Sequence, residues 1–151
     1  MRPGHPALFA SIPSPSQASP GIPFFGLPGN PVASAACLRF MVLPYLRRLQ
    51  SQMPERPLKA VVRGTDKSSG LNNHLNSAQG GVISSLPPDK DVFRPGIFGE
   101  SLQHQNLEVK LIEDHSPGKI KPFLQANSWI HVPAGNTELR NGDIVDIFPT
   151  S

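Results

Sequence analysis

The sequence predicts an α/β segment with one long helix, followed by a smaller β-rich domain. Residues 24–49, FFGLPGNPVASAACLRFMVLPYLRRL, combine an apolar strand end, a glycine- and proline-rich turn and an amphipathic helical pattern. After residue 57 the apolar residues instead fall in short runs typical of strands, separated by turn residues. We therefore divide the 151 residues into a first domain at 1–50, a linker at 51–57 and a second domain at 58–151.

Two short strands are expected before the helix. Residues 7–12 form the first, and the proline- and serine-rich residues 13–20 predict a hairpin-like loop. The second strand ends at Phe25, because Gly26, Pro28 and Gly29 deny the backbone a regular continuation.

The long helix has clear boundaries. Asn30 stands at the N-cap position and Pro31 at the first helical position, where a missing N–H costs nothing. Apolar residues then recur with a period of 3.6 as far as Leu49. Pro44 predicts a kink, or two helical segments, near Val42–Leu43. The single cysteine, Cys37, lies on this helix, and we interpret it as a packing residue in a reducing compartment.

The second domain shows four candidate strands. The patterns place them at Leu58–Arg63, Leu107–Ile112, Ser128–Val132 and Asp143–Phe148, with a turn at 141–142. The last three are predicted to form a small antiparallel sheet. Between the first two of the four strands the sequence is polar or irregular. We expect a disordered or poorly packed insert over about 64–105.

Charge and hydropathy restrict the class of partner. The first 62 residues carry six basic side chains against Glu55 alone, a balance that suits an anionic ligand, although solvated helix faces give the same pattern. Basic and aromatic residues are not interleaved, which disfavours nucleic-acid binding. Prolines interrupt every apolar run near the N-terminus, and no stretch reaches the length of a membrane span. We expect a soluble, cytoplasmic protein.

The glycine-rich turn is the first candidate site. A turn of this kind opening onto a helix directs backbone N–H groups and the helix dipole at one spot, which favours a phosphate or another oxyanion. An ordinary strand-to-helix turn has the same geometry, so both interpretations stay open at this point.

Several motifs in order along the chain resemble one enzyme family. Residues 26–32, GLPGNPV, resemble the GLPGNPVS signature of the molybdopterin molybdenumtransferases, the MoeA-type enzymes and the gephyrin E domain. Residues 1–7, MRPGHPA, resemble the family element MKPGKP, and residues 44–50, PYLRRLQ, resemble PALRKLQ. Residues 125–133 and 139–147 are similar to the segments that close the family's last domain. The resemblance therefore covers a C-terminal portion of such an enzyme.

This resemblance implies both a fold and a reaction. The fold would be a truncated molybdopterin-binding α/β domain followed by a small β-barrel. The family inserts molybdate into adenylylated molybdopterin and releases AMP, with magnesium as cofactor. By the same resemblance, the magnesium ligands and a Gly-Gly-Ser-rich turn would precede Met1. We therefore expect an incomplete fragment, and whether it is an enzyme stays open.

The resemblance also carries over a set of binding residues. In the family's MKPGKP element, Arg2 falls at the first lysine and keeps its charge, and His5 falls at the second lysine. In the GLPGNPVS signature, Ala33 replaces the serine, and Ser34 follows one residue later. The residues implied to bind molybdate or the pterin phosphate are Arg2, Gly4, His5, Pro28, Gly29, Asn30 and Ser34, with Arg94 as a further candidate in the last domain. No catalytic residue is assigned. The histidines at 74, 104 and 115 lack metal-ligand spacing, so no metal site is expected.

A second function remains open beside the enzymatic one. The gephyrin E domain also acts as a scaffold, so the chain could be a non-catalytic interaction module. The full-length family implies a homodimer and an anionic pterin substrate.

Overall fold

The computed structural model describes residues 1–4, 6–13, 21–64, 81–101, 105–112 and 120–150. These residues form two compact units. The helical unit comprises Pro3–Glu55, and the barrel unit comprises residues 1–2 together with 56–151.

The helical unit begins with a β-hairpin. Strand β1 (Leu8–Ile12) pairs antiparallel with β2 (Ile22–Gly26), so that Phe9 lies opposite Phe25. Both predicted strands are confirmed, while most of the predicted connecting loop lies outside the described residues. The rings of Phe9 and Phe25 both pack against Tyr45, with centroid distances of 6.2 and 5.5 Å. These aromatic contacts hold the hairpin against the helix.

The helix runs from Pro31 to Leu49 in three sections. They are α1 (Pro31–Cys37), a π-helical turn (Leu38–Val42) and α2 (Leu43–Leu49). The N–H of Leu43 donates to the carbonyl of Leu38, one residue farther back than in an α-helix. Pro44 has no N–H to donate and crowds the preceding turn, and a π-helical turn accommodates such an interruption. The predicted start at Pro31 and the predicted break near Val42–Leu43 are both confirmed.

Burial in the helical unit is limited. Ala33, Ala36 and Cys37 are buried, which confirms Cys37 as a packing residue. Many other large apolar side chains are more than 40% exposed: Leu8, Phe9, Ile12, Ile22, Phe24, Leu27, Leu38, Leu46 and Leu49. The hairpin and the helix therefore cover only part of each other's apolar surface.

The barrel unit is built around five strands. They are β3 (Leu58–Arg63), β5 (Val92–Ser101), β6 (Asn106–Leu111), β7 (Ser128–Val132) and β9 (Ile144–Pro149). The order β3-β6-β5-β7-β9 closes back onto β3. The β-barrel implied by the resemblance is thus present, and the three strands predicted to form an antiparallel sheet, β6, β7 and β9, all take part in antiparallel pairs. Strands β3 and β6 are parallel, which the long crossover connection between residues 63 and 106 permits.

Two more strands lie where a poorly packed insert was expected. Strand β4 (Val82–Ser85) pairs with β8 (Glu138–Arg140), and β5 is the longest strand of the barrel. The expectation for 64–105 is therefore wrong over residues 81–101, while residues 65–80 and 102–104 lie outside the described residues. The pair Pro95-Gly96 resembles a turn in sequence but lies within β5. The ring nitrogen of Pro95 points to the edge of β5 that β7 does not occupy. The N–H that proline lacks therefore costs no hydrogen bond between β5 and β7.

The barrel core is apolar and closely packed. Its buried members are Ala60, Val62, Leu86, Val92, Val109, Leu111, Ile130, Val132, Leu139, Val145 and Ile147. A Cβ added at Gly96 would lie 2.8 Å from Cδ1 of Ile130 and 3.0 Å from Cγ2 of Val109, so glycine is required there for close approach. Across the described ranges, none of the helices has the length and apolar character needed to cross a membrane.

Candidate functional site

Arg2 is attached to the barrel through its backbone. Its N–H donates to the carbonyl of Asp91 at 2.8 Å, and its carbonyl accepts from the N–H of Phe93 at 2.7 Å. These two hydrogen bonds form a parallel β-bridge between Arg2 and Val92. Arg2 therefore occupies the edge of β5 that β7 leaves open.

Arg94 lies on the core-facing side of the same strand. It pairs with Ile130 across β5 and β7, as Val92 pairs with Val132, and opposed residues of a sheet share a face. Ile130 and Val132 belong to the barrel core, and Arg94 itself is partly buried. Because Arg2 bridges to Val92, two residues before Arg94, both arginines extend from one face at the start of β5.

The two guanidinium groups influence each other electrostatically. Burial lowers the pKa of Arg94 below its ordinary value, and the positive charge of Arg2 adds to the effect. Within the described ranges, neither guanidinium forms a hydrogen bond or an ion pair with a protein group. A partly buried cation without a counter-charge is costly, and a tetrahedral oxyanion can compensate an arginine through paired N–H···O bonds. The arrangement therefore fits an oxyanion.

The glycine-rich turn is organised around Asn30. Its side-chain oxygen accepts from the N–H groups of Val32 at 3.0 Å and Ala33 at 3.1 Å, and its carbonyl accepts from Ser34 N–H at 2.8 Å. Pro31 has no N–H. The predicted N-cap at Asn30 is thus confirmed, and this cap occupies the N–H groups of Val32 and Ala33. In the part of the chain that the structure describes, the amides of Leu27, Gly29 and Asn30 in this turn have no acceptor.

Three other predicted residues, Pro28, Gly29 and Ser34, lie at the same helix start, whereas Gly4 contacts the last residue of α1. The Ser34 hydroxyl donates to the carbonyl of Pro28, which closes the turn onto the helix. The Gly4 carbonyl accepts a long contact from Cys37 Sγ, at 3.9 Å. Gly29 is exposed, and a Cβ there would meet nothing within 4 Å.

The predicted site residues therefore fall into two groups. Arg2 and Arg94 come together in the barrel unit, whereas Gly4, Pro28, Gly29, Asn30 and Ser34 belong to the helical unit. His5 lies outside the described residues.

Among the residues described by the structure, no three histidine, cysteine, aspartate or glutamate side chains are grouped so that they could hold a metal ion.

A histidine that the sequence did not single out lies behind Arg2. His131 on β7 places Nε2 3.2 Å from Oδ1 of Asp91, and its ring stacks on Phe93 with centroids 4.7 Å apart and an interplanar angle of 14°. Period-two alternation places Phe93 of β5 and Asp91, the residue before this strand, on one face. Only the register of β5 with β7 brings His131 to them.

A polar cleft of about 310 Å³ lies on the outer side of the barrel. Its polar and charged lining residues are Lys59, His131, Asn136, Glu138, Asp143 and Asp146. Lys59 Nζ lies 2.6 Å from Asp146 Oδ1, so the one lysine of the cleft already has a counter-charge. With three carboxylates around it, this cleft does not suit an anion.

Comparison with known proteins supports the fold. The sequence matches no protein-family model. The structure is similar to a molybdopterin biosynthesis MoeA protein from Pyrococcus horikoshii, with a TM-score of 0.58 and 15% identity over 87% of this chain and 30% of that chain. It is also similar to a molybdenum cofactor biosynthesis protein from Pyrococcus furiosus, with a TM-score of 0.56 and 17% identity over 87% of this chain and 41% of that one. The chain thus spans well under half the length of either protein, and it has the fold of the corresponding part of these MoeA proteins.

Proposed function

We propose that this chain acts in molybdenum cofactor biosynthesis as a C-terminal portion of a molybdopterin molybdenumtransferase. The observation that carries the proposal is the Arg2–Arg94 pair: two arginines on one face of β5, without an acidic partner in the described part of the chain. The fold shared with the Pyrococcus proteins supports the pathway, and the site supports an anionic substrate.

The substrates of this reaction have the chemistry that the site requires. Molybdate is a tetrahedral dianion, and adenylylated molybdopterin carries phosphate groups. Each guanidinium can donate two parallel N–H groups to such an oxyanion. The partial burial of Arg94 strengthens the attraction, because water screens it less. In the proposed reaction, molybdate enters the dithiolene of adenylylated molybdopterin and AMP leaves, while the arginines of this chain bind and orient the anion.

The helical unit supports a second candidate function, that of a non-catalytic interaction module. Asn30 occupies the N–H groups of Val32 and Ala33, which an anion would otherwise use. The same unit exposes large apolar side chains, among them Phe9, Ile22 and Leu49. Such surfaces are typical of protein–protein contacts.

Calorimetric titration of the full chain with molybdate tests the anion site. We expect Arg94→Gln to weaken binding by about tenfold or more, and Arg2→Gln to weaken it as well, since each removes a charge from the site. The matched control is Arg63→Gln, which removes an arginine of the same barrel whose guanidinium already contacts Glu108 at 2.8 Å. Equal losses in all three variants would show that only net charge matters and would contradict the proposed site.

A second measurement separates the enzyme from the interaction module. The full chain is added to a molybdenumtransferase from which the corresponding C-terminal portion has been deleted, and formation of molybdenum cofactor is followed. We expect activity that depends on Arg94. Molybdate binding without any recovery of activity, at saturating concentrations of the chain, would favour the interaction module.

A further inference from the structure

We propose that His131 is a positioning residue for the anion site, and that protonation of its imidazole strengthens anion binding by fixing Arg2. The inference rests on the proposed function, because it assigns a regulator to the same pair of arginines. It concerns only the barrel unit.

The first step is the attachment of Arg2. Two backbone hydrogen bonds to β5 and the residue before it hold Arg2 in place, one to the carbonyl of Asp91 and one from the N–H of Phe93. Displacement of either residue would therefore displace the Arg2 guanidinium from Arg94.

The second step is that the side chains of these same two residues both meet His131. The Asp91 carboxylate lies 3.2 Å from His131 Nε2 and accepts the Ala134 N–H through the same oxygen, also at 3.2 Å. The Phe93 ring stacks on the imidazole, directly across from it in the β5–β7 register. His131, on β7, thus contacts both Asp91 and Phe93, the two residues that bind the backbone of Arg2.

The third step concerns the faces of the strand. Successive side chains of a strand alternate, so Asp91 and Phe93 leave the strand on the side opposite to Val92 and Arg94. His131 accordingly contacts the back of the strand and not the anion. Its effect on binding passes through the backbone of Arg2, which makes it a positioning residue.

The charged groups around His131 are mostly acidic. Those that face it or share its cleft are Asp91, Asp146 on β9 with its partner Lys59 on β3, and Glu138 and Asp143. The hydrogen bond from His131 is the main reason that the pKa of Asp91 lies below its ordinary value. A protonated imidazole gives a charge-assisted bond to Asp91, which is stronger than the bond from a neutral ring. Arg2 is therefore held more firmly at low pH, and anion affinity falls as the imidazole loses its proton.

Titration with sulfate at about pH 5.5 and about pH 8 is the first test. These two values bracket the range in which histidines ordinarily titrate, and sulfate keeps its charge throughout. For the wild-type chain we expect affinity about threefold lower at the higher pH. His131→Gln keeps a donor for Asp91 but cannot titrate, so its affinity should not vary in this way. His131→Ala should bind more weakly at both values. Glu138→Gln, a change in the same cleft that leaves the Asp91 contact intact, should behave like wild type.

Hydrogen exchange provides a readout that needs no anion. The protection factors of the Arg2 and Phe93 amides should fall in His131→Ala, and fall less in His131→Gln, relative to the core amide of Ile130. If His131→Gln retained the pH dependence of wild type, or if His131→Ala left both amides as protected as before, the positioning role would be overturned. If either of these results occurred while Arg94→Gln lost sulfate binding, the role of His131 would be overturned and the anion site would stand. Unchanged binding in Arg94→Gln would instead overturn the proposed function.

Discussion

The side-chain amide of Asn127 pairs with the backbone of Phe98 like one more rung of the β-ladder. Asn127 Oδ1 accepts from Phe98 N–H at 2.8 Å, and its Nδ2 donates to the Phe98 carbonyl at 2.9 Å. The Asn127 backbone N–H also donates to Gly96 at 3.1 Å. The asparagine thereby extends the pairing of β5 and β7 past the point where β7 begins. This gives a structural role to a residue in one of the segments that resemble the molybdenumtransferases.

Asn127→Ala should destabilise the barrel. Both hydrogen bonds to Phe98 are lost, and its partly buried backbone groups keep no partner, so we expect a loss of about 1–3 kcal/mol in the free energy of unfolding. Urea unfolding followed by Trp129 fluorescence measures it. Asn136→Ala is the control, because its side chain makes an exposed hydrogen bond to Pro133, and it should cost much less. Equal costs would show that Asn127 has no special role.

Gly96→Ala should also destabilise the barrel, through crowding. The new methyl group would lie 2.8 Å from Ile130 Cδ1, and overpacking of this kind costs about 1–3 kcal/mol. Ile130→Val removes that Cδ1 atom, so the double variant should recover part of the loss caused by Gly96→Ala. Gly99→Ala, on the same strand but with nothing within 4 Å of the added carbon, is the matched control. A strictly additive double variant would argue against the contact.

Asp91→Asn should change how stability depends on pH. The hydrogen bonds from His131 and Ala134 hold the pKa of Asp91 below its ordinary value, so the ionised carboxylate stabilises the folded state. This contribution is complete above about pH 4, where a free aspartate is ionised, and is lost as the pH falls through the lowered pKa. At about pH 6 the melting temperatures of wild type and variant should therefore differ, and at about pH 2.5 they should converge.

The comparison for Asp91 is Asp89→Asn. The Asp89 carboxylate is exposed, and in the described part of the chain its one ion-pair contact is Lys90, at 3.6 Å. This variant should follow the wild-type curve throughout. If it lost as much stability as Asp91→Asn, the link between His131 and Asp91 would not be the cause.

Cys37 should react slowly with thiol reagents in the folded chain. The residue is fully buried, and burial raises the pKa of its thiol, so little of the reactive thiolate is present near pH 8. We expect labelling with a disulfide reagent to be about a hundredfold slower than in concentrated urea, where the thiol is free. Equal rates with and without urea would mean that the helical unit opens readily in the isolated chain.

Asn30 should matter for stability more than for anion contact. Asn30→Ala removes the cap from the N–H groups of Val32 and Ala33, and loss of such a cap costs about 1 kcal/mol. Asn30→Asp retains an accepting oxygen and should keep the helix, as judged by circular dichroism during thermal unfolding. If Asn30→Asp preserved the helix and abolished molybdate binding, Asn30 would contact the anion after all.

Local chemistry in the sequence determined the helix and several strands. The helix begins at Pro31 because Asn30 caps it and proline suits the first position, and its break follows from the missing N–H of Pro44. The bounds of β3 and β7 also follow from their β-branched and aromatic residues. Each of these signals acts between residues only a few positions apart, so the sequence alone was sufficient.

Only the tertiary structure decided which strands meet and what lies beside Arg2. Three features depend on partners that are far away in sequence. They are the parallel pairing of β3 with β6, the closure of the barrel, and the continuation of β5 through Pro95-Gly96. Arg2 and Arg94 meet because Arg2 bridges to Val92 at the open edge of β5, and His131 reaches Asp91 and Phe93 through the register of β7. Strand pairing is non-local, and a register shift of one residue would reverse every face, so no local pattern could have specified these contacts.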